Sequence, residues 1–507
     1  MTTSPVSAVL GVDVGTSSTK GVLVSGDGTV LRSGVREHSV DHPRPSQFEM
    51  DPRIWTEEFV SLSRELVGDD VQVQAVGVSG MGPCVALADD RDEPTRPAIL
   101  YGVDMRAGAQ IERLNAELGS APILERCGSA LTSQAAGPKI AWVKENEPDA
   151  YRRSVRLFMP STWLVRMLTG EYVLDHHSAS QCTPLYDTEA LDWHEPWVSR
   201  ICPELELPRL RWAGEAAGNV TPAAAERAGL PPGIPVITGT VDAWAEAVSA
   251  GAQHVGDLLL MYGTTMFLVN TVAERVSHPA LWGTVGALPG TRNLAGGLAT
   301  SGSITTWLRD LTGSGYAELS ALAAESPAGA RGLLMLPYFA GERTPIMDPQ
   351  ARGVLAGLTL AHTSGDLYRA ALEATGFAVR HNVEAMTAAG GDIRRVVAVG
   401  GGTTGSLWTQ IVSDITGLTQ VIPTQTVGAS YGGAFLAASL IAPVSIEDWN
   451  PPLELREPNP DNADRYDHLY RSYRDLYLST ADVAHDLAAL QEQDSMHQPA
   501  PAQGAAS

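Results

Sequence analysis

Residues 11–20 read "GVDVGTSSTK". An apolar run at 9–14 ends in a small, hydroxyl-rich loop, Gly15 to Ser18, and the chain returns at once to a second apolar run at 21–24. That return constrains the fold more than any other feature. A P-loop or a dinucleotide fingerprint must open a helix from its glycine loop, so neither motif is present. "SGDG" at 25–28 makes the next turn and "TVLRSG" resumes extended structure, which predicts an antiparallel meander of three strands. "DLLLMYGTTMFLVNT" at 257–271 repeats the pattern of strand, Gly-Thr-Thr loop and strand. We read the repeat as an internal duplication with a boundary near 250.

A chain of 507 residues divides into two or more domains, each with its own core. At 44% apolar and 18% charged residues its composition is that of a globular protein. The net charge of −23 disfavours nucleic acid or an anionic membrane as partner. Cys84, Cys127, Cys182 and Cys202 show no C-x-x-C spacing, against a disulfide framework or a structural zinc site. The opening "MTTSPVSAVLG" lacks a signal peptide's basic and apolar regions, and no stretch of about 18 apolar residues occurs, so a cytoplasmic protein is expected.

Further on, a short strand at 235–238 leads to a helix beginning about Asp242. Thr363 and Asp366 form a capping-box-like start, and Gly390-Gly391 a stop, around a helix whose Leu367, Ala370, Ala371, Ala374, Phe377 and Ala378 share a face. A strand at 396–399, the loop "GGGTTG" at 400–405 and a helix striped by Trp408, Ile411, Val412 and Ile415 follow. The loop fits G-x-G-x-x-G, but no acidic residue ends a strand about 20 residues on. Either it is a tight strand-to-helix turn, or it lets a phosphate or nucleoside approach amides at a helix N-terminus.

Two hydrolase patterns fail. "SSTK" at 17–20 lies in a hairpin and has no SDN or KTG partner. "GASYG" at 428–432 would need an acid and a histidine after Ser430, and His468, His485 and His497 fall in a C-terminal stretch expected to carry little structure. Small residues packing a helix on a sheet account for it better. From about Gln491 the chain has too little apolar content to fold.

Two carboxylates remain. Asp13 either caps its own loop or holds Mg²⁺, largely through water, with Thr16, Ser17 and Ser18 binding phosphate oxygens and Gly263, Thr264 and Thr265 gripping the same phosphates from the other domain. Asp242 is either an N-cap or a general base for a hydroxyl attacking a γ-phosphate, kept ionised by the helix terminus.

With "GPKIAWVKENEP" (137–148), "LTGEY", "GTVDAWAEAVSAGA", "LPYFAGERTPIMDPQARGVLAGLT" (336–359) and "AVGGGTTGSLWTQIVSDITG", these segments make the chain similar to the FGGY carbohydrate kinase family, closest to its xylulokinase-like branch, over about 9–438. The resemblance implies an α/β fold of two actin-like, ribonuclease-H-like ATPase domains flanking a central cleft. It implies a sugar-side domain at 1–250, a nucleotide-side domain at 251–445, a helical extension at 446–490 and a disordered tail at 491–507. ATP and Mg²⁺ are the implied cofactors, with Asp13 at the metal and Asp242 as base. Thr16, Ser17, Ser18, Lys20, Gly263, Thr264 and Thr265 then serve the phosphates, and Gly400, Gly401 and Gly402 the adenosine side.

The implied activity is phosphorylation of a terminal hydroxyl of a small sugar, a ketopentose first. A polyol kinase and a non-catalytic sugar-binding regulator are the alternatives, and a homodimer is compatible. The sugar loop departs from the branch pattern. "SGMGPC" stands for Gly-Gln-Met-His, Ala243 for an asparagine, and "YGVDMR" keeps Asp104 and Arg106 alone of Trp-Asn-Asp-x-Arg. Met81, Asp104 and Asp242 are the candidate sugar ligands, with a surface salt bridge to Arg106 as the alternative for Asp104.

Overall fold

The opening meander forms as expected: strands β1 (Val6–Val14), β2 (Ser18–Ser25) and β3 (Val30–Glu37) pair antiparallel in sequence order. The computed structural model describes residues 5–497. Helix α1 (Pro52–Leu66), capped by the Asp51 side chain accepting from Arg53 N–H, buries Trp55, Phe59, Leu62 and Leu66 against this sheet. Strand β4 (Val71–Gly80) then lies parallel to β1 on its other side. After a long insertion, β5 (Ala216–Asn219) and β6 (Pro235–Ile237) complete the spatial order β5-β6-β4-β1-β2-β3. A two-residue strand, Thr240–Val241, pairs with the end of β4 and runs into α2 (Asp242–Ser249).

The second half repeats the plan. Strands β7 (Asp257–Tyr262), β8 (Met266–Val272), β9 (Trp282–Val285) and β10 (Arg292–Leu298) form antiparallel pairs. Helix α3 (Ser364–Ala388) starts with the Thr363/Asp366 capping box, and β11 (Arg395–Val399) lies parallel to β7. Helix α4 (Ser406–Thr416), β12 (Gln420–Pro423), α5 (Ala429–Ser439) and β13 (Pro452–Arg456) follow. The sheet order is β9-β10-β8-β7-β11-β12-β13. Thus β10-β8-β7-β11-β12 reproduces β3-β2-β1-β4-β6 with every pairing of the same polarity. The duplication glimpsed in two Gly-Thr loops extends through the whole sheet.

The halves meet through crossed helices. Helix α5, from the second half, lies on the first sheet, where a methyl group at Gly11 would stand 2.0 Å from the Ser430 carbonyl and one at Gly77 2.0 Å from that of Gly433. A methyl group at Gly432 would stand 1.9 Å from the Ala245 carbonyl of α2. Trp244, Ala247 and Val248 of α2 share one core with Leu259, Val269, Val397 and Val399 of the second sheet. The pattern "GASYG" is therefore packing: Ser430 is 1% exposed and pressed against Gly11.

The C-terminal stretch differs from expectation. Residues 452–456, read as part of a helical extension, form an edge strand of the second sheet. Helix α6 (Ala463–His497) carries the histidines placed in a poorly structured region, and it continues through the first residues of the supposed tail. It folds because Tyr466, Tyr470 and Tyr473 pack on Phe377 of α3, and because His485 Nε2 and the Tyr477 hydroxyl both bond Asp348 Oδ2, at 2.7 and 2.9 Å. Residues 498–507 of that supposed tail lie outside the described residues.

Candidate active site

The carboxyl ends of the parallel strands define a crevice, the usual ligand position in such sheets. Asp13, Ser79 and Thr240 stand in register across β1, β4 and the 240–241 strand. Two strand spacings, roughly 10 Å, separate the outer backbones, and Asp242 follows directly. Asp13 is 8% exposed and accepts a hydrogen bond from the Ser79 hydroxyl at 2.8 Å. Asp242 is the first residue of α2, and Val241 occupies the cap position. Asp242 Oδ1 accepts from the Ala243 N–H at 2.7 Å.

The two carboxyls lie within electrostatic reach of one another. Burial, and then the charge of Asp242, pushes Asp13 up to about 7 against the Ser79 hydrogen bond. Burial also raises Asp242 above the ordinary carboxylate range, outweighing the helix-terminal amide that was expected to keep it ionised. One turn along α2, Glu246 is raised to about 7 by burial, with Lys20 opposing and Asp242 adding. Three carboxyls thus crowd a poorly solvated space that Lys20, exposed on β2 opposite Asp13, only partly neutralises.

The hydroxyl loop is held from behind. Gly15 N–H donates to the Ser18 carbonyl and His38 N–H to that of Ser17, both at 3.0 Å. The His38 ring bridges the Gly15 carbonyl (3.1 Å) and the Glu58 carboxylate (2.9 Å). The Thr16 hydroxyl meets the Tyr101 hydroxyl at 3.0 Å. In the second half Gly263, Thr264 and Thr265 are exposed, with the Gly263 and Thr264 carbonyls accepting from Gly302 N–H and Ser301 N–H. Gly263 and Thr264 line a cavity of about 680 Å³ with Gly401, Gly402, Tyr316, Leu407 and Trp408. Gly400 ends β11 at φ 94°, where a side chain would strike the Tyr262 carbonyl at 2.5 Å. One 3-10 turn, Gly401–Thr404, separates it from α4.

A second cavity, of about 110 Å³, opens on Asp242 between the halves. Gly82, Gln134, His177 and Trp244 line it from the first half, and Phe267, Trp282 and Asn293 from the second. Gln134 Oε1, Trp244 Nε1 and Asn293 Oδ1 are buried there without a partner. Each such atom costs about 1–3 kcal/mol if left unpaired, so the lining is built for a polar guest.

Two expected sugar ligands take other roles. Asp104 is fully buried; it accepts from the Phe48 N–H at 2.7 Å and from the Arg106 guanidinium at 2.7–3.0 Å, and Arg106 also reaches Glu49. It braces the loop, and it is not among the cavity's lining residues. The Met81 side chain is buried too, and its N–H donates to the Val14 carbonyl, leaving Gly82 to face the cavity. Sequence reasoning missed Tyr101, Gln134, His177, Trp244 and Asn293. Trp244, two residues past Asp242, was within reach of the motif, whereas Asn293 on β10 carries no local signal.

Comparison with known proteins agrees with this geometry. The signature described as "FGGY family of carbohydrate kinases, N-terminal domain" matches residues 8–249, and its C-terminal counterpart matches 258–441. The chain is 30% identical over 468 residues to "Xylulose kinase" of Escherichia coli, covering 90% of this chain and 95% of that one. It is 29% identical to "Glycerol kinase" of Beutenbergia cavernae, covering 94% and 98%. The crystal structure of xylulose kinase from Rhodospirillum rubrum superposes with a TM-score of 0.89 at 33% identity, covering 94% of this chain and all of that one. Among the described residues no helix is long and apolar enough to cross a membrane. With its duplicated sheets, paired carboxyls and two cavities, the chain belongs to the FGGY family of carbohydrate kinases and is an ATP-dependent sugar kinase.

Proposed function

We propose that this kinase transfers the γ-phosphoryl group of ATP to a terminal hydroxyl of a small ketose of the xylulose type, with Asp242 as general base. The observation that carries the reading is the Asp242 carboxyl, half-buried in the wall of a cavity that also holds three unpartnered polar atoms, with its charge felt at Asp13. Its Oδ1 is held by Ala243 N–H, which leaves Oδ2 to take the hydroxyl proton as the new O–P bond forms and the bond to the ADP oxygen breaks. Burial suits it to the task, because a more basic carboxylate is a better proton acceptor. The base supplies roughly 10²–10⁴-fold of the acceleration; positioning supplies most of the rest.

The residues present fit a divalent cation. Asp13 is a carboxyl whose pKa is raised by burial and then by the charge of Asp242, and among the described residues no group of three or more acidic, histidine or cysteine side chains could hold an ion by itself. That donor set suits Mg²⁺ held mainly by water and phosphate oxygens, with Asp13 as its protein anchor. Such an ion would neutralise charge on the phosphates. Thr16, Ser17, Ser18 and Lys20 on one side, and Gly263, Thr264 and Thr265 on the other, orient the phosphates; Gly400, Gly401 and Gly402 leave room for adenosine.

The test is ADP release with ketoses, aldoses and polyols, comparing wild type with Asp242→Ala. Sugar-dependent release that falls about 10²–10⁴-fold in the variant is expected. Undiminished turnover would remove the base; binding without turnover on any acceptor would favour a regulator. A polyol of the erythritol, xylitol or glycerol type is the second reading, supported by the 29% identity to "Glycerol kinase" of Beutenbergia cavernae.

A further inference from the structure

We propose that Trp244 and Asn293 form a substrate-reading pair that spans the two halves, and that the cavity they share admits only uncharged polyhydroxy substrates. The inference rests on the kinase reading above and deepens it. Trp244 sits on α2, two residues after the base, and is 1% exposed; Asn293 sits on β10 and is 2% exposed. Both line the cavity at Asp242, and both carry a buried polar atom with no partner in the protein.

Their neighbours explain how they are aimed. The His177 Nδ1–H donates to the Val285 carbonyl at 2.6 Å, and its Nε2 accepts from the Gln181 amide at 2.9 Å. With both nitrogens engaged, the imidazole serves as a fixed wall that stacks on Trp244 at 5.7 Å and 30°, while Asn293 is placed by its strand pairing with Thr284. Val285 follows Thr284 in a second-half strand, so His177, itself from the first half, ties the halves together at this cavity.

The chemistry of the two groups selects the guest. An indole N–H only donates, so it reads a hydroxyl or carbonyl oxygen; a carboxamide oxygen only accepts, so it reads a hydroxyl hydrogen. Together they match adjacent oxygens of a sugar or polyol. No lysine or arginine lines the cavity, while Asp242 does. A sugar acid or sugar phosphate would bring a second anion into a poorly solvated space with no cation to meet it.

The test uses the full chain with Trp244→Phe, which keeps the ring and loses the donor, and Asn293→Ser, with Asn293→Ala as a second variant; thermal melts verify folding. Sugar affinity is measured by calorimetry alongside KM, kcat and the KM for ATP, for the preferred neutral substrate, its single-deoxy analogues and the aldonate of equal length. Each variant is expected to raise sugar Kd and KM about 5–50-fold with the KM for ATP within about twofold. For one deoxy analogue, a different one for each residue, the penalty should vanish. The aldonate should not bind at about a hundred times the sugar Kd. A penalty equal for every analogue, or aldonate binding comparable with the neutral sugar, overturns the proposal. Because binding is read without turnover, failure of the kinase reading shows separately, as a wild type that binds sugar and releases no ADP.

Discussion

The first half of this kinase and the second are one fold carrying opposite chemistry. Their sheets share strand order and polarity, and their first turns, Gly15-Thr16 and Gly263-Thr264, follow corresponding strands. Where β1 sets Asp13 across from Lys20, β7 sets Met261 across from Phe267. Where the first half begins its crossing helix with Asp242, the second begins its own after Gly428, in a left-handed conformation at φ 96°. Charge sits in one copy and space in the other. A duplicated scaffold offers two equivalent strand-end crevices, and here one carries the carboxyls beside the smaller cavity while the other is pared down to glycine at the larger one.

Asp13→Asn presses hardest on that asymmetry. Turnover should fall by at least about 10²-fold, yet the ligand-free protein should melt higher, because the change removes a buried charge with too little compensation. The sign follows from linkage: Asp13 and Glu246 sit near 7 folded against 3.8 and 4.5 as free side chains, so the folded state binds the extra protons between those limits. Ligand-free stability should therefore decline as pH rises from about 4 through 7, less steeply in Asp13→Asn, where the share of Glu246 remains; calorimetric melts across that range decide it. A wild-type melting temperature that climbs with pH would refute the crowded-carboxyl account.

Gly11→Ala probes the seam that joins the copies. A methyl group 2.0 Å from the Ser430 carbonyl has nowhere to go, so a loss of about 3 kcal/mol in denaturant unfolding is expected. An unchanged midpoint would mean that α5 can lift from the sheet at little cost. The mildest expected effect is at the second-half turn. Thr264→Val should raise the KM for ATP about 3–10-fold and leave the sugar KM within twofold, as loss of one hydroxyl contact; a matching change in both constants would contradict the division of labour.

Legibility in the sequence followed the range of the interaction. The meander, the Thr363/Asp366 box and the two Gly-Thr turns are settled within a few residues, and they stand where expected. Asp104 misled because Asp-x-Arg looks like a surface pair, whereas Glu49, distant in sequence, completes a buried cluster with Arg106. Trp244 and Asn293 stayed hidden for the same reason: their vacant valences exist only once α2 and β10 face each other. The C-terminal helix falls largely within the helical extension expected at 446–490, and Tyr466, Tyr470, Tyr473 and Tyr477 recur at helical spacing; what differs is the edge strand at 452–456 and the run past 490.

The glycine seam also limits how such an enzyme can breathe. Where α5 meets the first sheet, main chain presses on main chain at Gly11 and Gly77, with the Ala434 methyl alongside. Sliding along so close a joint would cost more than swinging about it, as about an axle. A swing gapes widest far from its axle, and whatever lies beside the axle is kept in alignment through every cycle.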